Sequence, residues 1–274
     1  MNPTRVLYVS SATNLFLKEP PLSTYVEDLS TYTTNSSAFE TRLLLPRFGV
    51  IKERPNNIHE TIRLSGINIP MGKDRISLVV KVPSVRGIKI ATYFVDNEVL
   101  FQRKGVFTDK KGEFYPDNDV RALFFCKSVL AIIEKLGWIP HIIHCHGWMS
   151  SFLLPYLKKA YTDSHPLKHT KSIYTLYDEP FDHHFSRDML RYARYKQLKI
   201  SDLEENFNLP EKIGFQELTR LAIDHADHVT RVFETPQVAT AWQQVPYSQA
   251  QYIAPDQEGK EDIYLNIYNE LRTK

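Results

Sequence analysis

The chain has 274 residues, 42% of them hydrophobic and 24% charged, enough for one large α/β core or two small ones. Its 34 basic and 32 acidic residues nearly cancel to a formal charge of +2, which removes any electrostatic argument for a nucleic-acid partner or an anionic membrane surface. No apolar run approaches the roughly 18 residues of a membrane span, and the patch Val6 to Val9 breaks into Ser10, Ser11, Thr13 and Asn14, too short for a secretory signal. The two cysteines, Cys126 and Cys145, sit in apolar surroundings without metal or redox spacing, so a reduced, cytoplasmic protein is expected.

Arg5–Ser10 is a β-branched and aromatic run that ends in small polar residues, the pattern of a buried parallel strand entering a loop. Pro20 and Pro21 then precede Leu22, Tyr25, Val26 and Leu29, an i, i+3, i+4, i+7 stripe that predicts an amphipathic helix. Strand character returns at Phe39–Leu45, completing a βαβ unit. Within residues 60–96, Ile76–Val82 and Ile88–Val95 flank Pro83, Ser84 and Gly87, which predicts a β-hairpin inserted at the sheet edge.

Val120–Leu136 is apolar nearly all round and reads as a buried helix, with Gly137 as its C-cap and Pro140 beyond. A strand over His141–Cys145, a helix from about Ser150 to Tyr161, a strand over Ser172–Leu176, a helix over Gln216–Asp224 and a strand over His228–Val232 follow. An amphipathic helix over residues 261–274 ends the chain. Alternating strands and helices predict a doubly wound, mostly parallel, Rossmann-like α/β sheet in a single domain over residues 1–274. Such sheets bind ligands at the carboxyl ends of their strands, so the loops after Ser10, Cys145 and Leu176 are where function is to be sought.

The histidines draw attention first. Strand alternation puts His144 and His146 on one face, half of a metal site, but no third ligand is spaced to complete it, and zinc takes three or four. No metal is expected, and hydrogen-bonded histidines in a cleft are. There is no G-x-S-x-G elbow, no G-x-G-x-x-G and no Walker pattern, and Cys145 lies inside an apolar strand without activation. No cofactor is implied. Trp148, in the loop after a strand, is placed equally well for stacking on a sugar or for the core.

In order, these segments resemble the ADP-glucose-dependent glycogen and starch synthases. Arg5-Val6-Leu7-Tyr8-Val9-Ser10 is similar to that family's first strand, and Leu45-Pro46-Arg47-Phe48-Gly49 to the segment after the second. Tyr93-Phe94-Val95-Asp96-Asn97 with Phe101-Gln102-Arg103, and Tyr115-Pro116-Asp117-Asn118 with Arg121, resemble the stretches before and at the start of the family's active-site helix. Gly137-Trp138-Ile139-Pro140-His141-Ile142-Ile143-His144-Cys145-His146-Gly147-Trp148 is the most specific match. The similarity runs to about Thr235-Pro236.

The resemblance implies the N-terminal half of a GT-B fold, in which two Rossmann-like domains face each other across a cleft, with the family's C-terminal domain absent from these residues. The last helix resembles the one that closes the family's C-terminus. It implies glucosyl transfer from ADP-glucose to an α-1,4-glucan, with Lys18, Asp96, Asn97, Asp117, Asn118, His144, His146, Trp148 and Tyr177 as candidates for binding the nucleotide sugar or the glucan. Three family motifs are altered. The family's Lys-Thr-Gly-Gly-Leu reads Lys18-Glu19-Pro20-Pro21-Leu22 here. Its catalytic His-Asn pair is Tyr177-Asp178, so neither is assigned a catalytic role. Its His-Asp-Trp-His is His146-Gly147-Trp148-Met149. These changes imply a lone chain that is inactive or depends on a protein partner supplying the C-terminal domain. The alternatives are a non-catalytic glucan-binding or regulatory module of glycogen metabolism, or use of a different sugar donor.

Overall fold

The structure, a computed structural model, describes residues 2–202 and 210–273. Lys274, the last residue of the predicted terminal helix, lies outside them. Strand β1 (Thr4–Val9) runs through the centre of the molecule, with Val6 to Val9 fully buried. It is followed by helix α1 (Leu22–Asn35) and strand β2 (Phe39–Pro46), which lies parallel to β1. The predicted stripe Leu22, Tyr25, Val26 and Leu29 is the buried face of α1.

The second segment of the chain contributes the short β3 (His59–Glu60), β4 (Ile67–Met71), β5 (Asp74–Val82) and β6 (Ala91–Asp96). β5 and β6 pair antiparallel, with Val79 opposite Asp96 and Lys81 opposite Phe94. Only one arm of the predicted hairpin is an insertion, however. β6 is also the parallel neighbour of β2 and belongs to the main sheet. The tight hairpin is β4–β5, where Met71 faces Asp74 across Gly72 and Lys73. Gly72 turns there with φ +64°, a left-handed conformation that glycine adopts without steric cost.

After the one-turn helix α2 (Glu98–Phe101) comes α3 (Asn118–Leu136), whose buried residues lie on nearly every side. Gly137 closes it at φ 62°, its N–H reaching the Glu134 carbonyl at 3.0 Å while Trp138 N–H reaches Ile133 at 3.3 Å. Strand β7 (Ile142–His146) begins one residue later than the pattern predicts, because His141 stands before it and accepts the Arg5 N–H on Nδ1 at 2.9 Å. Then follow α4 (Leu153–Lys159), β8 (Lys171–Leu176), β9 (Phe185–Ser186), α5 (Leu190–Ala193), β10 (Lys212–Ile213), α6 (Phe215–His225), β11 (His228–Arg231), β12 (Gln251–Tyr252) and α7 (Lys260–Thr273).

The main sheet runs β12-β11-β8-β7-β1-β2-β6-β5-β3, parallel from β12 to β6 and antiparallel beyond. Strand order reverses between β1 and β7, the switch point at which a doubly wound sheet opens a crevice for ligands. Helices α1 and α7 pack together on one face. α3, α4 and α6 cover the other, with the Cys126 thiol of α3 reaching the Met149 carbonyl. The α7 helix is stitched to the first strand: Tyr268 and Tyr8 share a hydroxyl–hydroxyl hydrogen bond of 2.9 Å, and Arg272 Nη1 donates to Thr4 Oγ1 at 2.6 Å.

Candidate functional site

At the switch point three strand-end loops meet. The loop after β1 is tied to the first turn of α1. Ser23 Oγ donates to Asn14 Oδ1 at 2.7 Å and accepts the Glu19 N–H at 2.8 Å, while Asn14 Nδ2 donates to Thr24 Oγ1. Pro20 and Pro21 carry no N–H, and the Ser23 N–H is taken by the Glu19 carbonyl at 2.9 Å. This helix start therefore presents few free donors to an anion, although helix N-termini are ordinarily good anion sites. Lys18 projects into solvent just before it.

The loop after β7 turns at Gly147, with φ +73°. A Cβ there would run into Glu179 Oε1 and lie 2.7 Å from Leu22 Cδ1, so glycine is needed on two counts. Glu179 arrives from the loop after β8 and accepts the Trp148 N–H at 3.3 Å. Burial pushes its carboxyl up to about 8. The Trp148 hydrogen bond opposes that rise, and the negative charge of Glu19 adds to it. Burial raises the Glu19 carboxyl as well. Gly147, Leu22 and Glu179 thus come together at the notch between the strand-end loops, with Glu19 near enough that its charge acts on Glu179. At neutral pH the Glu179 carboxyl is mostly protonated. It can both donate and accept hydrogen bonds, which suits a neutral hydroxyl-bearing ligand better than a phosphate.

Most of the candidates named from the sequence have their polar atoms occupied within the fold. Asp96 is 3% exposed, paired with Lys81 at 2.8 Å and accepting from Gln102 Nε2 at 2.8 and 3.0 Å. The Asn97 side chain caps α2 by accepting the N–H groups of Val99 and Leu100. Asp117 holds Arg103 in a two-pronged pair at 2.5 and 2.7 Å. Asn118 is fully buried, donating to the Phe107 carbonyl at 2.8 Å and accepting from Arg121.

The histidines require a correction. His144 and His146 do share one face of β7, but that face is covered by α1 and α7, and both rings are wholly buried rather than open to a cleft. His144 Nδ1 pairs with Tyr268 Oη at 2.8 Å and Nε2 with Thr175 Oγ1 at 2.7 Å. The chain of contacts continues through Thr230 to Tyr264 and Tyr25. His146 Nδ1 pairs with Tyr177 Oη at 2.8 Å, while its Nε2 finds no partner among the described residues. Burial holds the His144 imidazole well below its ordinary value and His146 near 3, so both are neutral.

Trp148 resolves toward the core. It is 3% exposed, its ring centroid 4.9 Å from Phe107 and 5.0 Å from Phe181. Tyr177 is buried against His146, and Asp178 fastens two loops by accepting Gln237 N–H at 2.6 Å and Trp242 Nε1–H at 2.8 Å. Lys18 alone of the candidates is exposed. Glu179 was missed: it lies three residues past β8, and nothing in its local sequence shows that it folds back onto Gly147. Among the described residues no cluster of His, Cys, Asp and Glu could hold a metal ion, both cysteines are free and buried, and no helix is long and apolar enough to cross a membrane.

Residues 5–237 match the family described as starch synthase catalytic domain. The chain is 35% identical over 175 residues to a glycogen synthase of Chlorobium luteolum, covering 64% of this chain and 36% of that protein. It is 32% identical over 175 residues to a glycogen synthase of Chlorobaculum tepidum, with the same coverage. The chain therefore spans about a third of the length of the curated relatives it matches. Its fold is similar to the catalytic domain of starch synthase IV from Arabidopsis thaliana bound to ADP and acarbose, with a TM-score of 0.68 and 16% identity over 98% of this chain and 50% of that one.

Proposed function

The chain belongs to the starch synthase catalytic-domain family, and from that premise we propose that it is the glucan-facing half of an α-glucan synthase that does not transfer glucose by itself. Its substrates in this reading are an α-1,4-glucan and, in the presence of a protein partner carrying a second α/β domain, ADP-glucose. It acts in the cytoplasm, where free buried thiols such as Cys126 and Cys145 persist.

One observation carries the reading: the switch-point notch pairs Glu179 with Glu19 beside a helix start that Pro20 and Pro21 strip of donors. Glucosyl transfer from a nucleotide sugar places growing negative charge on the departing diphosphate, and its stabilisation needs cations and oriented N–H groups. Here the first loop offers Lys18 and sets the Glu19 carboxyl beside it, while Glu179, neutral at pH 7, adds no cation. The same notch, with Glu179 protonated, suits the hydroxyls of a glucan end. The cations for the diphosphate must come from outside the switch-point loops.

The test is incorporation of labelled glucose from ADP-glucose into glycogen. The purified chain is assayed alone, then mixed with a separately produced C-terminal domain of the Chlorobium luteolum glycogen synthase. The reading expects background incorporation from the chain alone. Sustained turnover by the chain alone would sink it.

A further inference from the structure

The β4–β5 turn and the segment Arg191–Arg194 enclose a groove of about 480 Å³, none of whose lining residues belongs to the switch-point notch. Lys73, Arg191 and Arg194 stand exposed around it, and Asp74 is the one carboxylate in its lining. Among the described residues no ion pair engages any of these three cations. Other cations of the chain do have partners: Lys196 meets Glu134, and Arg103 meets Asp117. Asp74 in the lining and Asp119, whose charge acts on Arg191, offset part of these three cations, and the positive excess that remains around one concavity favours entry of an anion.

The groove has fixed walls. Gly72 leaves little room for a side chain, since a Cβ there would stand 3.3 Å from the Tyr192 ring. Arg191 lies with its guanidinium carbon 4.6 Å from the centroid of that ring, and its Nη2 donates to Tyr192 Oη at 2.7 Å, which orients the fork. Beneath the floor is the fully buried Lys127 of α3. Its Nζ donates to the carbonyls of Pro70 at 2.8 Å, Arg194 at 2.9 Å and Tyr192, joining the hairpin to the opposite wall. No carboxylate accompanies it among those contacts. Burial draws its amine down to about 7, so this group serves to hold the two walls together and adds little charge from below.

We propose that this groove is a binding site for a phosphate-bearing small molecule, with phosphoryl oxygens held by Lys73, Arg191 and Arg194. Guanidinium forks match phosphate oxygens in pairs, and Lys73 adds a point charge. Lys127 is a positioning residue that keeps the walls together.

The experiment is calorimetric titration of the full chain with inorganic pyrophosphate at low and at physiological salt. Saturable binding that weakens with salt is expected. The double variant Arg191→Gln/Arg194→Gln, with thermal unfolding recorded to verify its fold, should bind at least about tenfold more weakly, because two charged contacts are lost. Lys18→Gln should bind like the unaltered chain. Absence of saturable binding, or a double variant with undiminished affinity, overturns the proposal. Loss of binding in Lys18→Gln instead would place the anion at the switch point, overturning both this proposal and the reading of the notch as unsuited to phosphate.

Discussion

Replacing Glu179 by glutamine tests the electrostatics of the notch without removing the acceptor for the Trp148 N–H. In the folded chain this carboxyl titrates near 8, against 4.5 for an ordinary glutamate. An acid whose folded pKa is raised binds its proton more tightly in the folded state. The unaltered protein is therefore most stable below the unfolded value and loses stability as pH rises from about 4.5 toward 8. At pH 7 the accumulated cost is roughly 3 kcal/mol, from about 1.4 kcal/mol per pH unit. The side chain is partly exposed, and solvent screening reduces the figure to about 2 kcal/mol. Glutamine has no charge to desolvate. The Glu179→Gln chain should match the unaltered one near pH 4.5 and exceed it by about 2 kcal/mol at pH 7, with a wider gap at pH 8. Urea unfolding of both chains at pH 4.5, 7 and 8 gives the comparison. Parallel pH profiles would refute the desolvated carboxyl and, with it, the account of the notch.

In the Glu179→Gln background, acidification charges the buried imidazoles, against an opposing gain from Asp119, whose carboxyl burial raises to about 6. His146 titrates near 3 in the folded chain against 6.5 ordinarily, so the unfolded state binds more protons in that window. Stability should fall by about 2 kcal/mol for this imidazole between pH 6.5 and 5, measured by the same urea series. Tyr268→Phe leaves the Tyr8 hydroxyl and His144 Nδ1 each short of a partner in a sealed interior. It should lower unfolding free energy by about 1–3 kcal/mol. Gly147→Ala meets both a left-handed φ and the contacts with Glu179 and Leu22. A loss of about 1–3 kcal/mol is expected, seen as a lower thermal midpoint.

The elements that carry their own signal were legible in the sequence. The run Arg5–Ser10, the stripe from Leu22 to Leu29 and the Gly137 cap each state a local preference that the sheet then satisfies. The β4–β5 hairpin was not seen, because its turn residues, Gly72 and Lys73, follow a strand too short and irregular to stand out. The histidines show the sharper boundary. Alternation places His144 and His146 on one face, but what covers that face comes from Tyr268, more than a hundred residues later. Periodicity knows the direction of a side chain and nothing of its distant partner. The altered motifs at Glu19-Pro20-Pro21 and Gly147 were readable one by one. That Glu179 joins them is a property of the strand order, which brings the β7 and β8 loops side by side.

The central claim is that the switch-point notch accepts a neutral glucan and not the diphosphate of a nucleotide sugar. Calorimetric titration of the full chain at pH 7 with maltoheptaose and, separately, with ADP-glucose tests it most directly. The account predicts saturable heat with maltoheptaose, diminished in the Gly147→Ala chain, and with ADP-glucose no saturable heat in a chain whose groove carries Arg191→Gln/Arg194→Gln. Tight ADP-glucose binding that Lys18→Gln abolishes would contradict it.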